Sequence, residues 1–212
     1  MKILLIHGLS RTTLSLSSLE SYLQERGATT EQFGYLAFAE SFDSIVDRLF
    51  VHCQAIASSE PYGNVAHSLG GLLIRAALAN NSIKLPEHIV MLGNPNQPPR
   101  LAPLAWKLLP FRWWIRHCGF NLTNPAFFKS LPGLTSPYTI IAGTLGPTGG
   151  WSPFGNEVND GIVAVSETFL SDLDPIIELP VWHTFMMNDL TVKKTVARAL
   201  GVNQHNKIND DN

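Results

Sequence analysis

The chain has 212 residues, of which 45% are apolar and 15% charged, and its formal net charge is −2 at pH 7. Folded domains carry roughly 25% charged residues, so a chain this poor in charge has a buried core and is not intrinsically disordered; its length suits one domain with a small insertion. The near-neutral balance leaves no overall basic footprint for nucleic acid.

The chain opens with Lys2 followed by Ile3, Leu4, Leu5 and Ile6, a buried-strand pattern. This apolar run is too short for a secretory signal and no small-residue cleavage site follows it, so a cytoplasmic protein is expected. Residues 14–26 place Leu16, Leu19 and Leu23 at helical spacing, and Gly27 closes the segment. A second strand is expected over 32–36. Ser41 has the chemistry of an N-cap, and Phe42, Ile45, Leu49, Cys53 and Ile56 follow at steps of three and four. A strand over 63–66, a Leu- and Ala-rich helix over 69–80 and a strand over 87–92 complete the first half. Strands alternating with helices predict a parallel sheet covered on both faces.

Residues 97–135 break this rhythm with prolines and aromatics and without a clear strand. Strands are expected again over 138–142 and 176–179, with a Gly-rich loop over 143–161 between them, and a last helix over 188–200. The expected organisation is one α/β domain over 1–202 with an insertion at about 97–135, and a polar, frayed tail over 203–212. The two cysteines, Cys53 and Cys118, form no CxxC pair and are expected to be free thiols.

The strongest chemical signal is Ala66-His67-Ser68-Leu69-Gly70-Gly71, set between a strand and a helix. A tight strand-to-helix turn of this kind holds a nucleophilic serine in a strained conformation, and small residues two before and two after it let the turn close. The helix behind it points its positive end at the site. A serine nucleophile needs a base and an orienting acid. Of the late histidines, His205 lies in the polar tail, whereas His183 follows the last strand. Acids between Ser68 and His183 are Glu87, Glu157, Asp160, Glu167, Asp172, Asp174 and Glu178. Asp160, in Asn159-Asp160-Gly161 after the 138–142 strand, is best placed, with Asp172 and Asp174 in reserve. The backbone N–H groups of Leu69 and of Leu9, in His7-Gly8-Leu9-Ser10, are the expected oxyanion donors.

Taken together, His7-Gly8-Leu9, Ala66-His67-Ser68-Leu69-Gly70-Gly71, Asn159-Asp160-Gly161-Ile162-Val163 and His183 resemble the α/β-hydrolase superfamily, in particular small lipase-like esterases and the PGAP1-like group. Met91-Leu92-Gly93-Asn94-Pro95-Asn96-Gln97 is similar to another segment of that group. Ala66, where glycine is usual, is a mild departure. The resemblance implies an α/β-hydrolase fold, a triad of Ser68, Asp160 and His183, and an oxyanion hole at Leu9 and Leu69. It implies a carboxylic ester hydrolase, with acyl transfer, thioester cleavage or non-catalytic lipid binding as alternatives.

No acidic residue occurs over 88–156, which carries Arg100, Lys107, Arg112, Arg116 and Lys129, a net +5 against −7 elsewhere. Trp106, Phe111, Trp113 and Trp114 are interleaved, so the insertion reads either as a basic aromatic lid that contacts a lipid or acyl substrate and, peripherally, a membrane, or as a cap whose aromatics pack on the core and whose basic residues are solvated. The expected partners are thus a small-molecule or lipid ester and no nucleic acid. No HExxH, GK[ST] or GxGxxG pattern occurs, so no metal or organic cofactor is expected.

Overall fold

The computed structural model describes residues 1–79, 83–107 and 118–202. Six strands form one sheet: β1 Lys2–Ile6, β2 Thr29–Phe33, β3 Tyr62–His67, β4 His88–Leu92, β5 Tyr138–Gly143 and β6 Ile176–Leu179. Their order is β2-β1-β3-β4-β5-β6, and every neighbouring pair is parallel.

A parallel sheet needs both faces covered, and β1 shows how the sequence meets that demand. Its apolar residues alternate between two clusters. Leu4 and Ile6 face α2 (Phe42–Ser59) and α3 (Leu69–Ala77), packing with Ile45, Leu49, Cys53 and Leu72. Ile3 and Leu5 face the opposite side, with Leu16, Leu19 and Leu23 at and ahead of α1 (Ser17–Gln24) and Val192 and Val196 of the C-terminal helix Leu190–Ala199. Fully burying a side chain of this size contributes about 1.5–3 kcal/mol.

The elements fall close to their expected places, with two shifts. The segment before α1 is a 3-10 turn over Thr13–Leu16, so the α-helix proper starts later than the leucine spacing suggested. Strand β2 starts and ends earlier than expected, because it is an edge strand whose Thr29, Thr30, Glu31 and Gln32 carry no apolar run. The helix after Ser68 ends at Ala77; the end expected for it, at residue 80, lies outside the described residues, as does the tail over 203–212.

The chain leaves β1 for β2 on one side, then returns across α2 to β3 on the other. Reversing direction places α1 and α2 on opposite faces, as consistent crossover handedness requires. The loops leaving β1 and β3 therefore diverge and open a crevice at the carboxyl edge, where ligands bind in open α/β sheets. Both Gly8-Leu9 and Ser68 follow directly on those two strands. Between β4 and β5 the insertion supplies α4 (Leu101–Trp106), α5 (Cys118–Asn121) and α6 (Pro125–Ser130); the helix Leu190–Ala199 is α7. No helix among the described residues is long and apolar enough to cross a membrane. Cys53 and Cys118 are buried and unpaired, and burial pushes each thiol up to about 12.

Candidate active site

Ser68 sits at the end of β3 with φ 52° and ψ −121°. Among the described non-glycine residues only Ser10 shares a positive φ. Such a backbone costs on the order of 1–3 kcal/mol and persists where its surroundings impose it. Here they do: the Ser68 N–H donates to Leu92 O at 3.0 Å, and its carbonyl accepts from Gly71 N at 3.0 Å and from Asn94 Nδ2. A Cβ on Gly70 would lie 2.7 Å from Ile6 O and 2.8 Å from His7 O, so only glycine lets α3 start this close to β1. The methyl of Ala66 is absorbed in the apolar cluster on the α2–α3 face.

His183 follows β6 and opens the 3-10 turn His183–Asn188. Its Nδ1 donates to Asp160 Oδ2 at 2.7 Å, and its backbone N–H donates to Asp160 O at 2.9 Å. The other Asp160 oxygen accepts from Ile162 N at 3.0 Å and Val163 N at 2.7 Å. The pair is almost fully enclosed, with side-chain exposures of 7% for His183 and 1% for Asp160. Three of the other acids over this stretch are engaged elsewhere. Asp174 accepts from Tyr138 Oη at 2.6 Å and from Leu170 N and Ser171 N, while Glu157 and Glu167 pair with Arg100.

Two more histidines support this corner. His7 stacks on Tyr35 with ring centroids 4.1 Å apart, and Tyr35 Oη donates to His7 O at 2.8 Å. His67 Nε2 donates to His183 O at 3.2 Å, which ties the loop of His183 to β3. Burial lowers the pKa of His7, and lowers that of His67 well below the ordinary histidine range with help from the neighbouring His183.

Ser68 and His183 line one cavity of about 640 Å³, together with Leu9, Ser10 and Arg11 from the loop after β1 and with Ile162 and Val163 from the loop that carries Asp160. The N–H of Leu69 lies at the first residue of α3, next to Ser68. The structure thus brings Ser68, His183 and Leu9 to one cavity, with Leu69 next to Ser68 and Asp160 hydrogen-bonded to the imidazole from behind.

The sequence matches no protein-family profile and no curated protein. Solved structures do match. The extracellular α/β-hydrolase from a Paenibacillus species, described as sharing structural and functional homology with tobacco salicylic acid binding protein 2, aligns at TM-score 0.62 and 14% identity, over 94% of this chain and 98% of that one. The NocB thioesterase domain from the nocardicin cluster aligns at TM-score 0.64 and 12% identity, over 94% and 93%. Phospholipase PlaB from Legionella pneumophila aligns at TM-score 0.62 and 15% identity; the match covers 80% of this chain and 46% of PlaB. The chain has the α/β-hydrolase fold.

On this hydrolase fold the insertion forms one wall of the cavity. The wall is aliphatic, built from Leu101, Ala102, Leu104 and Ala105 of α4 and Leu122 after α5. Trp106 does not line it; its ring packs on Phe120, with centroids 5.8 Å apart. Phe111, Trp113 and Trp114 lie outside the described residues, as do Arg112 and Arg116. The expectation of a basic lid needs correction at Arg100. Its Nη1 is 2.5 Å from Glu157 Oε2 and its Nε donates to Glu167 Oε1 at 2.8 Å, so its charge is paired with these two carboxylates. The hydroxyl of Ser166, and then Arg100, hold the Glu157 carboxyl below its ordinary range.

Three residues that hold the site escape a sequence reading of its chemistry. Asn94 clamps the carbonyl of Ser68. Arg75, on α3, donates to Pro132 O at 3.1 Å, Leu131 O at 3.2 Å and Asn96 O at 3.4 Å, which ties both ends of the insertion to the helix behind Ser68. Arg11 Nη2 donates to Thr184 O at 3.5 Å, and both residues line the cavity. The Gly93-Asn94-Pro95-Asn96 segment at the end of β4 was the available signal for the first two; nothing in the sequence pattern singled out Arg11.

Proposed function

We propose that the protein is a serine hydrolase that cleaves carboxylic esters through an acyl-enzyme on Ser68. The observation that carries this reading is the enclosed His183–Asp160 hydrogen bond, facing the same cavity as a serine on a positive-φ turn at a helix N-terminus.

In the proposed reaction Ser68 Oγ attacks the ester carbonyl and passes its proton to His183 Nε2. Asp160 keeps the proton of His183 on Nδ1 and stabilises the imidazolium. The N–H groups of Leu9 and Leu69 hold the oxyanion, with the positive end of α3 behind them. The carbon–oxygen bond to the alcohol breaks, and the alcohol leaves with the proton from His183. Water, activated by the same imidazole, then releases the acid and restores Ser68. No step calls on a metal or an organic cofactor.

The aliphatic wall of α4 favours an acyl chain, so the substrate class is a lipid or acylated small molecule. Thioester cleavage and acyl transfer to another nucleophile use the same atoms. The thioesterase among the structural neighbours makes a thioester the second substrate to try. The decisive experiment is labelling by a fluorophosphonate probe together with hydrolysis of 4-nitrophenyl esters from short to long acyl chains. Labelling and hydrolysis that both vanish in Ser68→Ala are the expected result. A Ser68→Ala protein that keeps either would sink the proposal, and a folded native protein with neither would leave a lipid-binding scaffold.

A further inference from the structure

We infer that Arg11 is a receptor for an anionic group, phosphate or carboxylate, carried by the substrate itself. The inference rests on the reading of Ser68 as the nucleophile and adds a substrate class to it.

Arg11 lines the cavity that holds Ser68 and His183, and no carboxylate is among that cavity's described lining residues. Asp160, the nearest acid in the mechanism, is shut behind the imidazole with 1% of its side chain exposed. Arg11 itself forms no ion pair with any described residue, and its hydrogen bond is one long 3.5 Å contact to Thr184 O. Arg26, Arg48 and Arg100, by contrast, each have a carboxylate partner. A guanidinium carries five donors in a planar fork that suits phosphate and carboxylate oxygens. Here the fork meets a cavity whose other described lining residues are apolar, His67, His183, Ser10, Ser68 and Thr184, with no second charge of fixed sign, so its charge acts at reduced dielectric.

The position also fits. Arg11 lies two residues beyond Leu9, on the loop proposed to supply an oxyanion donor, and lines the same cavity as the aliphatic residues of α4. An ester whose acyl chain lies along α4 would share the cavity with the Arg11 guanidinium. The anion can sit on the alcohol side, as in a glycerophosphate ester, or on the acyl side, as in a dicarboxylic monoester.

Two matched pairs of substrates test this. One is 1-butyrylglycerol against 1-butyrylglycerol 3-phosphate; the other is 4-nitrophenyl butyrate against 4-nitrophenyl hemiglutarate. The native enzyme is expected to favour the anionic member of at least one pair, and which pair tells phosphate from carboxylate. In Arg11→Gln the anionic-to-neutral ratio of kcat/KM should fall about ten- to a hundredfold, mainly through KM, and Arg11→Lys should restore part of it. In the native enzyme the same ratio should fall as salt rises from about 0.02 to 0.5 M, a readout that needs no variant. A native enzyme with no anionic preference in either pair, or a ratio that stays within about threefold in a folded Arg11→Gln, overturns the inference; equal slowing of both members would make Arg11 a positioning residue for Thr184. Hydrolysis that survives Ser68→Ala would instead remove the reading beneath it.

Discussion

His183 and Asp160 meet twice: ring Nδ1 to carboxylate at 2.7 Å, and backbone N–H to backbone carbonyl at 2.9 Å. The main-chain bond fixes the backbone of His183 beside Asp160, the ring bond sets the imidazole's orientation, and the carboxylate is held in turn by Ile162 and Val163.

That arrangement predicts how Asp160→Asn fails. The amide oxygen would keep the two N–H bonds from residues 162 and 163, and its NH2 would face His183. Nδ1 must then accept, which moves the ring proton to Nε2, where it blocks removal of the Ser68 proton. A loss of about 10³–10⁴ in kcat is expected, with Tm little changed; stopped-flow acylation beside thermal melting checks it.

The backbone at Ser68 separates two inactive variants. Ala keeps the disfavoured φ of 52°, whereas Gly adopts it freely. Ser68→Gly is expected to be more stable than Ser68→Ala by about 1 kcal/mol, as read from urea melts of both.

Acid should loosen the fold through His7 and His67. Both have folded pKa values below the ordinary 6.5, so the unfolded chain binds protons that the folded one refuses. Stability is complete above about pH 6.5 and falls as the pH drops below it, by at most about 1.4 kcal/mol per pH unit for each site. Urea midpoints at pH 7.5 and pH 5.5 should show the decline, and a flat response would contradict it.

Arg75 offers a structural test. Burial pushes its guanidinium down to about 10, and it spends its donors on carbonyl groups. Arg75→Met would fill the space and leave Leu131, Pro132 and Asn96 short of donors. The expected cost is about 2–4 kcal/mol, with trypsin cutting at Lys129 faster than in the native protein.

How far the sequence could be read follows from burial. Strands β1 and β3 to β5 are enclosed on both faces, so their apolar runs announce them. Strand β2 is an edge, and its polar residues hid its start by three positions. The proposed triad was legible because chain order and the ends of strands constrain it. Arg100 and Trp106 were read by type, as a cation and an aromatic of a lipid-facing lid, and type does not say what a side chain touches. Glu157, Glu167 and Phe120 decide that, and they lie far off along the chain or on another helix. Arg11 stayed hidden for the same reason, since its partner Thr184 is 173 positions away.

The imidazole hangs from an edge strand that is also the shortest of the sheet. β6 has four residues, pairs with β5 alone, and exposes Ile177. Opening that rim leaves the interior of the sheet intact, so mild heat should extinguish turnover while circular dichroism still reports a native molecule.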